Sequence, residues 1–169
     1  MHPKVLNFLP WLTAFILGSA FTLYLALPLF KSNYYKTIIS LELSFNKEKV
    51  KSIIADWSNI IYKDGRTLLY HARIGIYWDF LFIFIYAGFL FNVLLQLGPP
   101  TKWTILAAYA SILAGVLDSI ENIGMLGSLR GKANSINSII TATAAYTKFG
   151  LLIVAICTLL WIIIRLIIK

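Results

Sequence analysis

Three polar residues stand on one helical turn inside an apolar stretch: Asp118, Glu121 and Asn122 in VLDSIENIGMLG, residues 116–127. Positions i, i+3 and i+4 share a helix face, so two carboxylates and an amide point the same way. Hydrophobic residues surround them from Trp103 to Leu129. Charged groups at membrane depth are expensive and usually face a bundle interior or a wet cavity. Two carboxylates this close repel one another in a low dielectric, so a proton, a lysine, a metal ion or an ammonium-bearing ligand must offset the charge. General acid–base chemistry, ligand binding and the stapling of helices by hydrogen bonds are all open to such a group.

The chain that positions them has 169 residues, 59% hydrophobic and 13% charged, with a mean hydropathy of +0.79. Soluble domains carry about 25% charged residues. The composition therefore predicts an all-α integral membrane protein with a single membrane domain over 1–169. A formal charge of +8 does not imply nucleic acid, which needs a basic face clustered on a soluble module. Here the cations flank apolar segments, as they do when they set membrane topology. Cys157 is the only cysteine and sits in an apolar run, which leaves no intrachain disulfide or cysteine metal site. His2 and His71 are the only histidines, too few for a zinc centre. No metal site is expected, and the cofactor stays unknown.

Four spans are predicted, at about 9–30, 74–97, 103–128 and 145–164, forming an up-down four-transmembrane-helix bundle. The first reads as a retained helix and not a cleaved signal, because its apolar core is too long. Gly18, Ser19 and Ala20 would let a neighbouring helix approach it closely. Gly98-Pro99-Pro100 allows only a tight reversal between spans two and three, and a polar linker, 130–137, precedes span four. Residues 31–73 form the sizeable extramembrane or interfacial segment. Within it Ile39, Leu41, Leu43 and Phe45 alternate with polar residues as in a strand, and a helical reading through Ile38, Leu41 and Phe45 fits nearly as well. Val50, Ile53, Ile54, Trp57, Ile60 and Ile61 keep helical spacing, with Asn46 as cap and Gly65 as terminator. This amphipathic helix between spans 1 and 2 is expected to lie in the interface or to lid the bundle, or to be a packed connection with a solvated basic side.

Threading the spans up and down brings further residues to the level of Asp118 and Glu121. Asp79 lies at the start of span two, Tyr86 two turns deeper on the same stripe, and Lys148 at the start of span four. The candidate ligand- or ion-binding set is thus Asp118, Glu121, Asp79, Lys148, Asn122 and Tyr86; no catalytic residue is assigned. Lys148 can neutralise one acid, and Arg130 or Arg73 can reach another by snorkelling. Each of these residues also has a structural explanation as an interhelical staple. His71 reads as a membrane-surface residue, and Ser135, Asn137, Ser138, Thr141 and Thr143 as a polar entry or a frayed helix start. Trp11, Trp103 and Trp161 on one face, with Tyr34, Tyr35, Trp78 and Tyr146 on the other, fit interfacial belts. The long-loop face carries ten Lys and Arg, from Lys31 to Arg73 plus Arg130 and Lys132, against four on the other, Lys4, Lys102, Arg165 and Lys169. The positive-inside rule then makes both termini external and the loop cytoplasmic.

With Asp79-Phe80-Leu81-Phe82 followed by Tyr86, the Asp118-x-x-Glu121-Asn122 run and a short capped helix ending near Trp57, the chain resembles small uncharacterised bacterial membrane proteins of similar length. The resemblance covers Leu41 to Lys148 and implies a location in the bacterial inner membrane; it implies no mechanism. Three functions follow from the residues. The first binds or conducts a proton, a cation or an amine-bearing lipid ligand. The second is a structural or accessory subunit of a larger membrane complex, or a homo-oligomer, whose polar groups specify helix pairing. The third is an intramembrane lipid-modifying enzyme, for which no nucleophile with an adjacent base and no Asp-rich phosphate motif is present. The lipid bilayer is the expected partner in each, and nucleic acid in none.

Overall fold

The structure, a computed structural model, describes residues 9–31 and 35–168. His2, Lys4, Tyr34 and Lys169 lie outside the described residues, as do the side chains of Lys31, Tyr35 and Lys36. The aromatic belts and the orientation count rest on them in part. Every regular element described is helical: α1 (Leu9–Lys31), α2 (Tyr35–Glu42), α3 (Lys47–Asn59), α4 (Leu68–Leu97), α5 (Lys102–Gly127) and α6 (Ser135–Ile167), with a π-helical turn at Ser128–Lys132. Of these, α1, α4, α5 and α6 are long and apolar enough to cross a membrane.

Four helices begin on caps that the sequence supplies. The side-chain oxygens of Asn46, Thr67, Thr101 and Asn134 accept hydrogen bonds from backbone N–H groups in the first turns of α3, α4, α5 and α6. Each satisfies a donor that a bare helix end would leave open. Because Thr67 is a cap, α4 starts at Leu68, six residues before Ile74. Asn134 likewise starts α6 ten residues before Ala145. The polar run from Ser135 to Thr143 therefore rides on the helix, and Asn137 donates to Gly124 O and Ser128 Oγ, both at 2.7 Å.

In the 31–73 segment one open choice is decided and one expectation changes. The stretch around Leu41 is helical and not extended, because a helix turns Leu41 into the core at 3% exposure. Helix α3 buries Val50, Ile53 and Trp57 as its spacing predicts, yet it stops at Asn59 and not at Gly65. Ile60 is extended, and Gly65, at φ +77°, turns a tight reversal instead. That reversal is closed by Tyr62 N–H to Arg66 O (2.7 Å) and Leu68 N–H to Ile60 O (3.0 Å), with Ile61 bridged to Thr67. Ile61 consequently leaves the apolar stripe and is exposed.

The long helices pack in the order α1–α4–α5–α6. Along α1 and α4, Trp11 meets Phe84, Phe15 meets Phe82 and Phe89, and Phe21 meets Trp78. Between α4 and α5, Asp79 pairs with Asn122 and Ala87 with Ser111. Between α5 and α6, Gly124 pairs with Asn137 and Asp118 with Lys148. In each pair of helices residue numbers rise along one partner as they fall along the other. Small residues set the close approaches. A Cβ on Gly18 would lie 3.2 Å from the Phe82 ring, and one on Gly115 would lie 3.1 Å from Ala87 Cβ. Trp11 covers Gly88 closely, so it packs helices in addition to any interfacial role; Trp103 and Trp161 are exposed. Helix α1 packs on α4 and makes at most a grazing contact with α6.

Two apolar clusters result. One, around Leu90, Leu94, Ala107, Ala108 and Ile162, fills the half of the bundle near the Gly98 turn. The other joins Leu29, Leu41, Val50, Ile53 and Trp57 to Leu68, Met125 and Leu129, and so fixes α2 and α3 over the opposite end.

Candidate functional site

Between these clusters lies a cavity of about 640 Å³, within the range of small-molecule pockets. Its wall is apolar except on one side, where residues from α2, α4, α5 and α6 converge. All six expected side chains, Asp79, Tyr86, Asp118, Glu121, Asn122 and Lys148, line it.

Their partners differ. Asp118 is fully engaged: Tyr86 OH donates to Oδ2 at 2.8 Å, and Lys148 Nζ donates to Oδ1 at 2.6 Å. Asn122 Nδ2 donates to Asp79 Oδ2 at 2.7 Å. Lys148 Nζ also lies 2.7 Å from Glu121 Oε2, so one ammonium bridges two carboxylates one turn apart. Lys148 is 7% exposed and Glu121 0%. Glu121 Oε1 meets no hydrogen-bond donor among the described residues. A buried polar atom without a partner is rare and calls for a proton, a water or a ligand.

Glu42, from the 31–73 segment, is a fourth carboxylate in the wall. Helix α2 folds over the end of the bundle and brings it there. Burial pushes Glu42 up to about 7, against the nearby Lys148, with Asp118 and Asp79 adding to the rise. The helical reading of Ile38–Leu41 held the available signal, since it sets Glu42 four residues from Ile38 and beside the apolar face. His71, near the start of α4, adds a further polar contact. It lines the cavity, sits 3.2 Å from Asp64 and meets Tyr62 and Tyr70 edge-on. The two arginines do not reach the acids: Arg73 donates to Leu129 O and Arg130 to Tyr77 OH. Both are held at the helix ends, near enough to backbone and phenol partners that snorkelling inward would break existing bonds.

Four carboxylates thus face one lysine. Among the described residues no three His, Cys, Asp or Glu side chains converge closely enough to hold a metal ion. The arrangement offers separated acceptors around a cavity, which suits a group that donates hydrogen bonds in several directions. Comparison with known protein families, with curated proteins and with solved structures finds no match for this chain.

Proposed function

We propose that this is a small integral membrane protein, an up-down bundle of four spans, that binds a cationic, hydrogen-bond-donating group at the carboxylate wall of its cavity. The ligand class runs from a proton through small cations to an ammonium head. The observation that carries the reading is Glu121: a residue of the cavity wall, fully buried, sharing one lysine with Asp118, and with Oε1 unpartnered. A carboxylate kept only to staple helices would place both oxygens on donors, as Asp118 does. An ammonium supplies several donors and a charge that the wall lacks.

The test uses methylammonium as a probe with no apolar tail. Protein in phosphatidylcholine nanodiscs should gain thermal stability with millimolar methylammonium, and Glu121→Gln should lose that gain while Glu48→Gln, on the solvated face of α3, keeps it. An equal response from wild type and Glu121→Gln would reject the site. The acids would then be helix staples, and a structural or accessory subunit would be the better reading.

A further inference from the structure

The cavity extends well beyond its carboxylates. From Lys148 its wall continues along α6 through Leu152 and Ile156 to Leu159. Eleven residues at about 1.5 Å each make this arm about 16 Å long. That is close to half of a hydrocarbon core of about 30 Å, the depth of one leaflet. Phe15, Thr22 and Leu25 of α1 line the opposite side. Since α1 and α6 make at most a grazing contact, the arm lies between two loosely apposed helices. Ile156, though it lines the arm, is 45% exposed, as expected at the lip of an opening toward lipid.

The charge pattern of α6 sets the depth. Between Lys148 and Arg165 no residue is charged, and those 17 steps span about 25 Å. When Arg165 sits at one headgroup level, Lys148 and its carboxylates lie near the other. The polar wall is therefore at headgroup depth, and the apolar arm runs inward from it.

We propose that the ligand is a membrane amphiphile with an ammonium head, which enters sideways between α1 and α6 from the leaflet on the α2–α3 side. Its head meets Glu121, Asp79 and Glu42, and one alkyl chain hangs along Leu152, Ile156 and Leu159. This rests on the cation-binding reading above and adds the ligand class and its route. Lys148 remains on Asp118 and so leaves Glu121 Oε1 to the incoming head. A soluble amine, which shares the same head chemistry, would use the carboxylates but leave the arm unfilled.

The experiment is photolabelling in phosphatidylcholine nanodiscs with hexadecylammonium bearing a mid-chain diazirine, alongside the matched hexadecanol probe. Labelled residues are mapped by mass spectrometry. Leu152, Ile156 and Leu159 should label well above Ile153, Val154 and Leu160, which are on other faces of α6. Glu121→Gln should lower that inner labelling about tenfold, the worth of one hydrogen bond to a charged group. Equal labelling of inner and outer faces, with the methylammonium response intact, would overturn the lipid route alone. Inner labelling that is equal for both probes and unchanged in Glu121→Gln would overturn head recognition, and the proposed function with it.

Discussion

The α4–α5 interface is built in two ways along one pair of helices. Toward the Gly98 turn, Leu90, Val93 and Leu94 close on Ala107 and Ala108, all buried. Toward α2 and α3, contact passes through side-chain tips: Tyr86 to Asp118, and Asn122 to Asp79. Gly115, against Ile83 and Ala87, marks the transition. Small residues let helix backbones approach, so dispersion contacts hold the first half together. Side chains joined tip to tip reach across more space than two methyl groups, and the polar wall of the cavity lies on that half. The difference shows that the polar residues substitute for packing only by being paired, and that an unpaired one such as Glu121 Oε1 needs another explanation.

The largest expected effect falls on the polar half. Lys148→Met leaves Asp118 and Glu121 without their shared cation. Removing one partner of a buried ion pair costs about 3–5 kcal/mol, to be read from unfolding equilibria in bicelles. A variant as stable as wild type would mean the carboxylates do not depend on Lys148, and the contrast between the halves would collapse. The close-packed side should answer to volume instead. Gly115→Leu drives a side chain into Ala87 and Ile83 at a cost of about 1–3 kcal/mol, typical of overpacking. Gly150 has open space around it, so Gly150→Leu serves as the control and should not destabilise.

The smallest effect is on pH. Glu42 is pushed from its ordinary range to about 7 by burial. A folded-state value above the unfolded one means the protonated form is favoured by folding. Its contribution is complete below about 4.5 and is lost as pH rises through 7. Wild type should lose stability between pH 5 and pH 8, and Glu42→Gln should flatten that slope and be the more stable protein at pH 8. A slope that Glu42→Gln leaves unchanged would assign it to another group.

What the sequence made legible follows from periodicity and from charge in an apolar setting. The four long helices, the Asn46 cap and the buried face of α3 needed only spacing and capping chemistry. Asp79, Tyr86, Asp118, Glu121, Asn122 and Lys148 converge because the short connection at Gly98–Thr101 and the turn at Gly131 leave neighbouring helices little choice of direction. Glu42 was only half legible: the helical reading sets it beside the apolar face of α2, but its place in the cavity wall depends on α2 lying across the bundle, a tertiary fact. Gly65 misled for a physical reason: a positive φ serves a helix stop and a tight reversal equally, and only the pairing of Ile61 with Thr67 separates the two. Which acid was the staple could not be read either, since Asp118 and Glu121 differ in their partners and not in their spacing.

That reversal has a mechanical outcome. By tying Ile60 to Leu68 and Ile61 to Thr67, it welds the end of α3 to the start of α4, while buried Trp57 pins α3 to the bundle end. Helix α3 is a bracket. Helix α2, eight residues and about 12 Å long, lies over the same end and is tied to the bracket through Leu41, which is buried with Val50 and Trp57. Glu42, in the last turn of α2, is therefore held in the cavity wall by the same apolar cluster that fixes α3, and the two helices close this end of the bundle as one piece.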